Sequence, residues 1–160
     1  MDAIDEFAIR AAEVCAARLW AFGSAQYPLQ NGRLQKHIEA EVTNTAIEFA
    51  VHARRILDNQ KLPAPLLLNQ PRWDWGPRKE GLKKVEKLRD ALNYIIHAVS
   101  FQVGFESLPR ATATIDGGAI CALYLHVRTD KREDALIDVF ALGACFFSSV
   151  LPPLFSPRSA

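Results

Sequence analysis

At 160 residues with 49% hydrophobic side chains, the chain is long enough to bury one core without disulfide or metal staples. Lys and Arg number 19 against 18 Asp and Glu, a formal charge of +1, which excludes a bulk polybasic nucleic-acid binder and leaves any anion site to local clustering. Three cysteines, Cys15, Cys121 and Cys145, lie far apart in apolar surroundings, which argues against a disulfide framework or zinc site and for buried thiols in a cytoplasmic protein.

The acidic start Met1-Asp2-Ala3-Ile4-Asp5-Glu6 lacks the basic-then-apolar order of a cleaved leader. From Asp2 to Phe22 the apolar residues Ile4, Phe7, Ala8, Ala11, Val14, Cys15 and Leu19 recur at helical spacing, with Arg10, Glu13 and Arg18 outside. Gly23 to Gly32 reads as a connection, and Arg33 to Asn59 predicts the longest helix through Leu34, Ile38, Val42, Ala46, Phe49, Ala53, Ile56 and Leu57. Lys61 to Gly81 holds Pro63, Pro65, Pro71 and Pro77 and cannot continue a helix, so a long packed loop is expected.

A third helix is expected from Gly81 to about Val103, burying Leu82, Val85, Leu88, Leu92, Ile95, Ile96 and Val99; its early Lys83, Lys84, Lys87 and Arg89 would oppose the helix dipole. Between Arg110 and Thr129 two β-rich runs, Ala111–Ile115 and Ala119–Arg128, flank Asp116-Gly117-Gly118 and predict a hairpin. In it Cys121, Leu123, Leu125 and Val127 would lie on the helices while Tyr124, His126 and Arg128 face out. A last helix is expected from Asp130 to about Val150. The apolar run Ala135–Phe155 approaches the length of a bilayer span, but Asp138, Ser148, Ser149 and Pro152-Pro153 favour a core or dimer helix, and no membrane contact is expected.

The fold class these elements predict is mainly α: a single domain over residues 1–151, a four-helix bundle with a β-hairpin at about 110–129 inserted before the last helix, and a loose tail over 152–160.

On the third helix Arg89, Asn93 and His97 recur every four residues, each roughly 6 Å along the axis from the last, and form one polar stripe. An arginine fork can hold a phosphate, a histidine can exchange a proton near neutral pH, and an asparagine can orient either. That combination suits cleavage of RNA, with a base at the 2′-hydroxyl and a cation on the charged phosphorane. The alternative is structural: Arg89 pairs with Glu86 or Asp90, while Asn93 and His97 satisfy buried hydrogen-bonding groups.

The stripe resembles the motif of the HEPN superfamily, small helical bundles that include dimeric, metal-independent ribonucleases and toxins. That motif is an Arg, usually followed by a polar residue such as Asn, then His after a gap of four to six residues. Asn93-Tyr94-Ile95-Ile96-His97 matches the Asn and His; Leu92 stands where the Arg is expected, and Arg89 would substitute from one turn earlier. The resemblance implies a homodimer with Arg89, Asn93 and His97 as catalytic residues at the two-fold interface, in a toxin or defence setting, without a cofactor. The same fold also serves as a non-catalytic module binding a protein encoded beside it.

Glu48, His52 and Arg55 share one side of the second helix and are expected either to support His97 or to form a polar seam between helices. Arg72, Trp73, Trp75 and Lys83 mix cations with aromatics, as single-stranded RNA binders do, although Trp73 and Trp75 can equally plug the end of the bundle. His37, His52, His97 and His126 have no metal-ligand spacing, so no metal is expected.

Overall fold

The Asp2 carboxylate accepts the Asp5 backbone N–H at 2.7 Å and so caps α1 (Ala3–Ser24). Asn31 caps α2 (Gly32–Asn59) in the same way, through the Leu34 N–H at 3.0 Å. The computed structural model describes residues 2–69 and 82–155. The two helices run antiparallel, which brings Asp5 of α1 beside Arg55 and Asn59 of α2. Both follow the spans their periodicity predicts. Their inner stripes, Ala8, Ala12, Ala16 and Leu19 on one and Val42, Ala46, Phe49 and Ala53 on the other, are fully buried.

What these helices pack against corrects the expected four-helix bundle. Among the described residues five strands form one mixed sheet, and the fold is α/β. The strands are β1 (Tyr27–Pro28), β2 (Lys83–Lys84), β3 (Ala98–Ser107), β4 (Ala119–Thr129) and β5 (Ala135–Asp138). β4 is the hub, with β3 antiparallel along one edge and β1 and β5 antiparallel on the other; β2 lies parallel to β5.

The expected third helix shrinks to α3 (Leu88–Ile96). At its front, Lys83 donates its backbone N–H to Asp134 and Val85 to Leu136, at 3.2 and 3.0 Å, so these residues extend the sheet. Lys83, Lys84 and Lys87 therefore stand outside the helical turns, and the expected conflict between three lysines and the helix dipole does not arise. At its back, His97 closes the helix and the chain enters β3 directly. Val99, Phe101, Val103 and Phe105 alternate as a strand requires, but Ile95, Ile96, Val99 and Val103 also satisfy a helical period; pairing with β4 decides between them.

A hairpin does form, but its first strand is β3, not Ala111–Ile115. That run belongs to the connection between β3 and β4, where Gly117 and Gly118 adopt φ of +87° and +98° and make the turn that Asp-Gly-Gly predicts. β4 carries a bulge: Gly104 faces Tyr124 and Phe105 faces Ala122, leaving Leu123 as an extra residue. The extra residue resets the alternation. Ile120, Ala122, Leu125 and Val127 join the main core under the helices, whereas Cys121, Leu123 and Tyr124 pack with Leu136, Leu82 and Leu108 in a second cluster. Tyr124, expected to face out, is 5% exposed, and its ring takes the space a Cβ at Gly104 would need.

The expected helix from Asp130 begins later, because the fully paired Ala135–Asp138 is β5, buried between β4 and β2. Asp138 Oδ1 then accepts the Ala141 N–H at 2.8 Å and caps α4 (Val139–Cys145), which continues through a π-helical turn (Phe146–Val150) into α5 (Leu151–Phe155). Of the loose tail expected over 152–160, Pro152 to Phe155 are helical, Pro152 and Pro153 lying in the first turn of α5 directly after the π-helical turn, and 156–160 lie outside the described residues. Two glycines let this segment lie against α1: a Cβ on Gly143 would fall 2.4 Å from the Ala16 carbonyl oxygen, and one on Gly23 would fall 2.7 Å from the Phe140 nitrogen. Among the described residues no helix is long and apolar enough to cross a membrane.

Candidate functional site

The antiparallel packing of α3 on α2 builds a polar seam. Arg89 Nη1 donates to Asp58 Oδ1 and its Nη2 to the Leu57 carbonyl, both at 2.8 Å. Asp58 Oδ2 in turn accepts Arg54 Nε at 2.8 Å, and Arg54 Nη1 donates to the Asn93 side-chain oxygen. These charge-assisted bonds hold the Asp58 carboxyl below its ordinary range, the hydrogen bonds from Arg54 and then Arg89 being the main causes.

Only part of the expected ladder enters that seam. Arg89 and Asn93 are members, one engaged at the far end and one receiving Arg54. His97 is not; it is exposed at the end of α3, where the chain turns into β3. Its imidazole lines an open groove of about 490 Å³ together with Asn93, Thr129, Asp130, Lys131 and Arg132. The β4–β5 connection that brings in those last residues is tied by Thr129 Oγ1, which accepts the Arg132 N–H at 3.0 Å. The Arg132 guanidinium lies 5.4 Å from the centre of the buried Tyr94 ring, and Lys83 Nζ approaches the same ring at 5.9 Å.

The second-helix residues expected beside His97 face elsewhere. His52 meets the Phe7 ring edge-on at 5.5 Å, Arg55 pairs with Asp5 at 3.3 Å, and Glu48 lies beside Cys15, so all three line the α1–α2 contact. Arg54 and Asp58 of α2 make side-chain hydrogen bonds to α3, and their separation of four residues is a helix-surface pair readable in the sequence. Lys131 and Arg132 left a weaker signal, two adjacent cations just after a β-rich run. Lys83 stands on β2, exposed; Arg72, Trp73 and Trp75 lie outside the described residues.

Elsewhere, His126 Nε2 lies 3.0 Å from Asp134 Oδ2 across the β4–β5 turn. All three cysteines are buried, and none is in a disulfide. Burial, and secondarily the neighbouring Glu48 carboxylate, pushes the Cys15 thiol up to about 11; burial pushes Cys145 to about 11 as well. Among the described residues no three His, Cys, Asp or Glu side chains gather as a metal site would require.

Chemically, the groove combines a solvent-accessible imidazole and a hydroxyl with two cations and the Asp130 carboxylate, so the cations outnumber the carboxylate where a phosphodiester would sit. Comparison with protein-family models, with curated proteins and with solved structures finds no match to this chain.

Proposed function

We propose that the chain binds RNA and cleaves it without a metal ion in the groove at the end of α3. The observation that carries this reading is the exposed His97 side chain lining the same groove as the exposed Lys131 and Arg132. The HEPN-like spacing of Asn93 and His97 supports it. His97 takes the 2′-hydroxyl proton, the 2′-oxygen bonds to phosphorus, and the bond from phosphorus to the 5′-oxygen breaks, that oxygen leaving with a proton from solvent. Lys131 and Arg132 balance the charge that builds on the phosphoryl oxygens. Asn93, fixed by Arg54, positions the turn that presents His97, and Arg89 anchors the helix through Asp58 and Leu57.

The protein so described is cytoplasmic, works as a homodimer and serves a toxin or defence role. A second reading, a non-catalytic module that docks a protein encoded beside it, is favoured by one observation: two donors of the Arg89 fork are engaged on protein oxygens. Labelled RNA incubated with the purified protein in EDTA distinguishes them. Cleavage that His97→Ala abolishes at an unchanged melting temperature supports the ribonuclease; intact RNA across varied salt and pH refutes it and leaves the docking module.

A further inference from the structure

We propose that a second pocket, at the C-terminal end of α2, binds a small anionic amphiphile: a carboxylate or phosphate monoester on an apolar chain. None of its lining residues belongs to the His97 groove. It holds about 450 Å³, within the size range of small-ligand sites. Leu57, Leu62 and Leu66 form an apolar wall, and Lys61, Lys87 and Arg89 stand around it with no carboxylate among the lining residues.

The backbone fixes this shape in advance. Leu88 donates its N–H to the Leu66 carbonyl at 3.0 Å and Leu68 donates to Glu86 at 2.8 Å, pinning the proline-rich segment beside the start of α3. Arg89 closes the third side by donating to the Leu57 carbonyl at 2.8 Å. A ligand therefore meets walls that need little ordering, which lowers the cost of binding.

The charge at the pocket is lopsided. Asp58 balances Arg89 at 2.8 Å, but neither Lys61 nor Lys87 makes an ion pair among the described residues. Two ammonium groups without an ion pair among the described residues, beside a leucine wall, match a ligand with an apolar body and an anionic head. The head alone has little to hold it, because an exposed ion pair contributes at most about 1 kcal/mol. The body alone gains the leucine wall and leaves the lysines unanswered.

Calorimetric titration of the full chain with octanoate, octan-1-ol and acetate tests both halves of the ligand. Octanoate is expected to bind at one site per chain, with octanol and acetate each at least about tenfold weaker. Lys61→Glu with Lys87→Glu is expected to weaken octanoate about tenfold and leave octanol unchanged. If that variant melts lower, Lys61→Gln with Lys87→Gln takes its place. Absence of octanoate binding at millimolar concentration, octanol binding as tightly as octanoate, or octanoate affinity unmoved in the variants would each overturn the proposal.

Discussion

Arg54 of α2 and Asn93 of α3 are joined directly, the guanidinium donating to the amide oxygen while its Nε holds Asp58 of its own helix at 2.8 Å. The bond links the longest helix to the short one that presents His97. Arg54→Ala and Asn93→Ala are therefore expected to couple. Each alone should cost about 1–2 kcal/mol, since the bond is charge-assisted but partly exposed, and the double variant should fall short of their sum by about 1 kcal/mol. Urea unfolding of the four proteins measures this, and strictly additive losses would remove the link.

Arg89 and His97 should separate cleanly into a structural and a chemical role. Arg89 makes two bonds across the helix pair, so Arg89→Ala is expected to lower stability by about 1 kcal/mol. His97 is exposed, and His97→Ala should cost less than about 0.5 kcal/mol while removing cleavage. Parallel melts and RNA assays decide; a destabilised His97→Ala with RNA cutting intact would reverse the assignment.

Acid should loosen the seam in a defined window. The folded Asp58 carboxyl titrates below its ordinary value, so the stability it confers is present above about pH 4, the unfolded range, and is lost as pH falls through the folded value. The wild type should melt above Asp58→Asn at pH 6, and the gap should close on acidification below about pH 4. A gap that stays constant down to pH 2 would show that the carboxylate charge is not what holds the two arginines.

Gly143 brings α4 close against the backbone of α1. Adding a methyl group places it 2.4 Å from the Ala16 carbonyl oxygen and 2.9 Å from the Trp20 nitrogen, both backbone atoms that cannot swing aside. Gly143→Ala should cost about 2–3 kcal/mol, whereas Gly32→Ala, with no atom within 4 Å, should be nearly neutral. Denaturation midpoints of the two variants provide the comparison.

The thiols should be silent in the native protein. Cys15, Cys121 and Cys145 are each 3% exposed or less, and burial pushes Cys15 and Cys145 up to about 11, so those two are neutral thiols at pH 8. A chromogenic disulfide reagent should titrate no thiol before unfolding and three after it. Rapid native labelling of any one would contradict the packing around it.

Long-range order was legible wherever one period ran unopposed. α1 and α2 repeat at helical spacing over many turns, with Asp2 and Asn31 in place to cap them, and Asp116-Gly117-Gly118 marks its turn without help from the rest of the chain. The boundary between α3 and β3 was not legible, because Val99 and Val103 serve a helix of Ile95 and Ile96 as well as a strand of Phe101 and Phe105. β5 was hidden too: a strand of four residues inside an apolar run carries no period of its own.

The candidate site divides along the same line. Local spacing alone placed Arg89, Asn93 and His97 on a common stripe, because four residues slightly exceed one helical turn. Tertiary structure split the stripe: α2 supplied Arg54 and Asp58 to engage Asn93 and Arg89, and pairing of β3 with β4 ended the helix at His97 and left its ring exposed. Lys131 and Arg132 share a groove with that ring only because β5 returns antiparallel to β4 and brings their turn to the end of α3. Side-chain periodicity is written in neighbouring residues and survives reading one segment at a time. Which helix stops, and which cations meet its last residue, depends on strands far apart in the chain finding each other.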